Sequence, residues 1–319
     1  MTGRFAALAG TVAVLLATMG ASTPTGARLL FGMGPEADGA LATPLVRSGS
    51  VGMLTSWFNQ PSDLAWMGSW QRDLVPQAYA RGLALHVVVY GFGPYQEIDT
   101  PSGRACGSPY PLSPGFLDDQ RRLARIFAGT PGSPPVYVTM FTEFQTYPCR
   151  HGAWAPDPET TAYYTELKKV YLEALAVWHA EAPNSRVSLG WGGWQARWDD
   201  PPLGGGRSMI GHFADVLRAS DFQSVQAMQS DTNVADVRDM TRLLGAYGPV
   251  MLAHYKPDNA DQRVFDADVR SLLADDTLAE LTGNGLFAFS FMDEVLVDSS
   301  AQRTFVEHQI RRHGREDSP

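Results

Sequence analysis

Glu143 sits in the stretch PVYVTMFTEFQTY, Pro135 to Tyr147, where an apolar, β-branched run gives way to Thr142, a carboxylate and Phe144. Val136, Tyr137 and Val138 favour a buried strand, so the carboxylate falls where that strand emerges into a loop. Phe141, Phe144 and Tyr147 flank it. Aromatic neighbours strip water from a carboxyl group and raise its pKa, which suits it to donating a proton near neutral pH. The plain alternative is a glutamate that caps a helix or anchors a loop.

Hydrolysis of a glycosidic bond needs a second carboxyl group, about 5 Å away for retention or roughly 6.5 to 9.5 Å for inversion. FMDE places Asp293 and Glu294 beyond a wholly apolar run, and these are the first candidates, with helix capping as the competing role. Asp258, past a proline, and Asp231, in the polar turn SDTN, come after them, and N-capping is the expected role of Asp231. Aromatic and amide side chains fall at similar places: Trp57 and Asn59, Tyr90, Tyr147, Gln226 and Gln229, then His254, Tyr255 and Lys256. Sugar rings offer C–H faces to aromatic rings and hydroxyls to amides and acids, so this mixture points to a carbohydrate ligand. In WGGWQARW, glycines between Trp191, Trp194 and Trp198 leave room for a ligand to lie against the rings; a hydrophobic plug is the alternative. Trp66 and Trp70, four apart, are expected to pack in the core. His254 and Lys256 are a cationic pair able to hold a nucleophile ionised or to bind an acidic sugar, or simply rim residues. No GxSxG, HExxH or free-cysteine site competes.

These positions require a scaffold that brings strand ends together. Eight strand-like runs are spaced along the chain: Leu29 to Met33, Val51 to Phe58, Leu83 to Gly91, Val136 to Phe141, Arg186 to Trp191, Phe222 to Met228, Pro249 to Tyr255 and Gly285 to Phe291. Helical periodicity separates them over Asp63 to Arg81, Pro114 to Ala128, Pro158 to Ala182, Met209 to Ser220, Val234 to Tyr247 and Gln262 to Leu281, with a last helix over Ser300 to Arg312. Continuously apolar strands alternating with helices predict a parallel sheet covered on its outer face, and eight units closing on themselves make a single-domain (β/α)₈ TIM barrel. Glu36 and Asp38 then follow the first strand, among the strand-end residues that converge on one face. An open doubly wound sheet lacks its glycine-rich phosphate loop here. Irregular stretches over Phe92 to Ser113, Phe144 to Asp157 and Gly192 to Ser208 fall on the same face and predict an elaborated cleft.

Composition sets the setting. Residues 1–27 hold one arginine, an apolar run from Phe5 and then small residues, which reads as a secretory signal removed between Ala21 and Ala27, with a retained anchor as the alternative. The remaining 28–319 suit one domain. Cys106 and Cys149 are the two cysteines, and export predicts that they form a disulfide; two cysteines without paired histidines give too few ligands for a metal. A formal charge of -9 argues against a nucleic-acid or anionic membrane surface, no cofactor motif is present, and a monomer is expected. The terminal RRHGREDSP is expected to fray.

With a glutamate closing its fourth strand, the chain resembles the large clan of (β/α)₈ glycoside hydrolases that includes cellulases and mannanases. The resemblance implies that Glu143 is the acid/base and that the substrate is a polysaccharide or glycoconjugate. The clan usually has asparagine before this glutamate, where this chain has Thr142, and a nucleophilic glutamate at the end of strand seven, where this chain reads AHYKPD. The second carboxylate must therefore come from another strand, or the barrel binds glycans without cleaving them. A deacetylase or lyase working through His254 is a third expectation.

Overall fold

The computed structural model describes residues 28–91, 93–150, 157–199 and 208–314. The expected signal segment, and with it the cleavage site, lies outside them. Ten strands form: β1 (Leu30–Met33), β2 (Met53–Phe58), β3 (Ala84–Val89), β4 (Gln96–Thr100), β5 (Gly103–Gly107), β6 (Val136–Met140), β7 (Ser185–Gly192), β8 (Gln223–Ala227), β9 (Val250–Tyr255) and β10 (Leu286–Phe291). Eight of them close a parallel barrel in the order β1, β2, β3, β6, β7, β8, β9, β10, and β10 returns to β1. Each strand run read from the sequence is a barrel strand. The fold is a (β/α)₈ barrel.

Side-chain alternation sorts the strands into an outer and an inner face. Outward residues such as Phe31, Leu54, Val87, Val138 and Leu252 join the large core beneath the helices. Leu30, Met53, Ala84, Tyr137, Phe222, Met251 and Ala288, on the opposite face, form a second apolar cluster that plugs the N-terminal end of the barrel. Two residues further along comes a polar belt. Thr55 Oγ1 meets Ser290 Oγ at 2.7 Å and His86 Nδ1 at 3.2 Å; His86 Nε2 meets Thr139 Oγ1 at 2.8 Å, which meets Ser224 Oγ at 2.7 Å. Five buried polar side chains satisfy one another across the barrel, so the belt fixes strand register without leaving polar groups bare.

Several helices differ from expectation. The 63–81 segment breaks into Leu64–Met67 and Leu74–Ala80, because Pro76 has no N–H to donate and is tolerated only in the first turn of a new helix. The 262–281 segment likewise restarts at Asp275, and the 209–220 segment at Ala214. The stretch after β3 is not irregular: β4 and β5 form an antiparallel hairpin around Pro101 and Ser102, and Gly103 supplies a φ of 117°. Cys106 on β5 is bonded to Cys149, which ties this hairpin to the loop after β6. Of the terminal RRHGREDSP, residues 311–314 are ordered, since the helix Arg303–His313 runs into them and Gly314 bridges to Leu29 beside β1, while 315–319 lie outside the described residues.

Candidate active site

Thr142 and Glu143 emerge from β6 in an unusual backbone. Phe141 has φ 55° and Glu143 φ 56°, both in the left-handed region that a residue with a side chain enters at a cost of about 1–3 kcal/mol. The surroundings hold this turn from three sides. Phe141 is buried and stacks on Phe116 at 5.0 Å. Tyr147 Oη donates to the Thr142 carbonyl at 3.0 Å and accepts the Gly91 N–H at 2.7 Å, bridging the ends of β3 and β6. A Cβ on Gly190 would stand 2.7 Å from Thr142 Cα, so β7 must carry glycine there for the turn to pass over it.

The result is a half-buried carboxyl on the wall of a cleft of about 680 Å³. The cleft is lined by aromatic rings (Trp57, Trp66, Trp70 and Tyr90), amides (Asn59 and Gln226) and carboxylates (Glu36, Asp38 and Glu143). Burial raises the pKa of Glu143, and a hydrogen bond from Gln226 partly opposes the rise. Thr142 Oγ1 donates to Gln226 Oε1 at 2.5 Å, which turns the amide nitrogen of Gln226 toward the glutamate. Tyr90 is pushed up to about 12 by burial and by the nearby Glu143 charge, so it faces the cleft as a neutral phenol.

The other sequence candidates fall into two groups. Trp57, Asn59, Tyr90 and Gln226 share the cleft with Glu143. Trp191 does not: it is 0 % exposed, wedged against Phe144 and Phe213 at 4.7 and 5.9 Å. Trp194 covers Gly192, where a Cβ would stand 2.4 Å from its ring, and a Cβ on Gly193 would stand 2.7 Å from the Gln226 carbonyl oxygen. The space between those tryptophans is therefore filled by the protein itself. Tyr147 is buried in the hydrogen bonds described above. Tyr255 stacks on Phe265 and donates to Asp268 at 3.1 Å. The Gln229 backbone is clamped by the Asn233 side chain. His254 is 1 % exposed and perpendicular to Trp57 at 4.6 Å, and burial holds it well below the usual histidine range, so it is neutral.

The FMDE acids also lie off the cleft lining. Asp293 caps the helix Glu294–Ser299, accepting from the N–H groups of Val295 and Leu296 at 3.0 and 3.3 Å, with Lys256 Nζ at 3.7 Å. That helix is six residues long and is separated from its strand by only two residues, too short a segment to show helical periodicity in the sequence. Glu294 lies behind Glu36, and burial, then Asp298, Asp293 and Glu36, raise its pKa. Asp231 is exposed and does not cap; Thr232 occupies the N-cap position. In the other direction, Trp66 was expected in the core but is 47 % exposed and lines the cleft, because the helix ends at Met67 instead of carrying it inward. Among the described residues, no group of three His, Cys, Asp or Glu side chains is arranged to hold a metal ion.

No protein-family model matches the chain, and no curated protein sequence matches it. Solved structures do match in fold. An endo-β-1,4-mannanase from Thermotoga petrophila superposes with a TM-score of 0.56 at 11 % identity, covering 92 % of this chain and 78 % of that one. A GH5_18 protein from Streptomyces cattleya, solved in complex with GlcNAc, gives 0.55 at 14 %, over 92 % and 82 %. A GH5-4 broad-specificity endoglucanase from an uncultured bacterium gives 0.53 at 12 %, over 88 % and 84 %. The class defined here is the (β/α)₈ barrel of the kind found in cellulase- and mannanase-like glycoside hydrolases. At these identities the likeness is one of fold.

Proposed function

We propose that the protein is a secreted glycoside hydrolase that cleaves a polysaccharide or glycoconjugate, with Glu143 as proton donor. The observation that carries this reading is a desolvated carboxyl, with its pKa raised, held by a strained turn on the wall of an aromatic cleft at the C-terminal face of the barrel. Trp57, Trp66 and Tyr90 offer flat faces for sugar rings, and Asn59 and Gln226 offer hydrogen bonds to hydroxyls. A signal over 1–27 and a single catalytic domain over 28–319 belong to the same reading, as does a monomer acting on glycan alone, without cofactor. The likeness in fold to an endoglucanase and a mannanase supports it.

A non-catalytic glycan-binding barrel is the second reading, favoured by one observation: strand β9 ends in His254 and Tyr255, with no carboxylate. The two separate on a panel of plant, fungal and bacterial wall polysaccharides. The hydrolase releases reducing sugar, and Glu143→Gln loses at least about a hundredfold in rate, the scale of general acid catalysis. Binding without release, or a fully active Glu143→Gln, contradicts the proposal.

A further inference from the structure

We propose that Glu36 is the second carboxylate of the reaction, acting as general base on water so that the anomeric configuration inverts; this rests on the hydrolase reading above. The cleft lining holds three carboxylates, Glu36, Asp38 and Glu143. Glu36 and Glu143 occupy matching places. Each is the third residue beyond its barrel strand, β1 ending at Met33 and β6 at Met140. Each stands at the N-cap position of a short helical turn, Ala37–Ala40 and Phe144–Thr146, and neither uses its side chain to cap. A glutamate at an N-cap ordinarily serves the orphan N–H groups of the turn; these two leave that role and face the cleft.

Asp293 and Asp38 are engaged elsewhere. Asp293 caps its helix, and Asp38 accepts the Gly39 N–H at 2.9 Å. Among the described residues, no hydrogen bond or ion pair holds the Glu36 carboxyl. Glu294 backs it: Glu36 Oε2 and Glu294 Oε1 come within 3.9 and 4.0 Å of the point where a Cβ on Gly39 would stand. In the barrel ring, β1 and β6 are three strands apart. That is the separation between strands four and seven, measured the other way round, so a glutamate after the first strand reaches over the same barrel mouth from the other side. Glu36 is exposed whereas Glu143 is half-buried, and an exposed carboxylate on the lining of a cleft of about 680 Å³ is open to the water that inversion requires.

The step balances as follows. Glu143 gives its proton to the glycosidic oxygen as the bond to the anomeric carbon breaks, its electron pair going to that oxygen. Water adds to the anomeric carbon from the opposite face and passes its proton to the Glu36 carboxylate. Exchange with solvent then restores both groups.

The experiment uses the purified protein and the polysaccharide it cleaves fastest in the panel. Proton NMR of the first-formed sugar gives its configuration, and rates are compared for wild type, Glu36→Gln and Glu143→Gln, with thermal unfolding of each variant as a check on folding. The expected results are an inverted first product and a loss of at least about a hundredfold for Glu36→Gln with its unfolding temperature unchanged. A product of retained configuration, or a Glu36→Gln enzyme above about a tenth of the wild-type rate, overturns the role of Glu36 while leaving the hydrolase reading intact, provided Glu143→Gln is inactive. A wild type that cleaves nothing overturns that reading itself, and this proposal with it.

Discussion

Glu143 carries a cost in the folded state that its chemistry requires. Burial raises its pKa, so the folded protein holds that proton to higher pH than the unfolded chain does. The sign follows: the group's contribution to stability is full below the ordinary glutamate range and is lost as pH rises through the raised value. Glu143→Gln, which has no charge to desolvate, should therefore be more stable than wild type at about pH 7 and lose that advantage at about pH 4. Urea unfolding of both proteins at the two pH values checks this, and an advantage that is larger in acid would contradict it. The position of the carboxyl was legible in the sequence, because a glutamate two residues beyond VYVTMF falls where a buried strand emerges. Its backbone was not, since the φ values of 55° and 56° at Phe141 and Glu143 are held by Phe116 and Gly190 from distant parts of the chain and by Tyr147, which is itself tied to Gly91 on the far side of the hairpin.

At the scale of elements, Cys106–Cys149 joins the β4–β5 hairpin to the loop after β6 that carries Glu143, across 43 residues. A closed loop of that length restricts the unfolded chain by about 4 kcal/mol in the chain-entropy account. Cys106→Ser with Cys149→Ser should lower the unfolding free energy by up to that amount, as read from denaturant midpoints, and unchanged midpoints would show that the pin contributes nothing. The cysteine pairing was readable because an expected export makes a disulfide the default for two lone cysteines. The hairpin that carries Cys106 was not, because QEIDT and GRACG hold few apolar residues. The tryptophans show why element ends matter: WMGSW read as helix put Trp66 inside, and one turn of lost helix put it in the cleft. WGGW misled in the opposite direction, because open space beside a glycine is visible in sequence but its occupant, here the Trp194 ring, is not.

For the whole molecule, eight strand runs sufficed to specify the barrel, since continuous β-branched segments between helices have few other ways to bury both faces. The polar belt inside was present in the strands as Thr55, His86, Thr139, Ser224 and Ser290, but only closure brings the five together. It has a consequence for acid stability. Burial lowers His86 from 6.5 to about 3, and His254 falls well below its usual value too. A neutral His86 in the fold and a protonated one in the unfolded chain mean that its contribution is present above 6.5 and is lost as pH falls toward about 3, with His254 acting in the same direction. Within that window His86 should cost about 1.4 kcal/mol per pH unit. Unfolding free energies of wild type and His86→Gln across it should show a less stable variant whose pH slope is shallower by about one proton; equal slopes would contradict the assignment. The central claim, that Glu143 protonates the departing sugar oxygen, is tested most directly by varying what has to depart. Aryl glycosides of the cleaved sugar are compared, with phenol and dinitrophenol as leaving groups, on wild type and Glu143→Gln. The account predicts a loss of at least about a hundredfold on the phenyl glycoside and near wild-type rates on the dinitrophenyl glycoside, whose leaving group needs no proton. An equal loss on both would mean that Glu143 serves the site in some way other than as its acid.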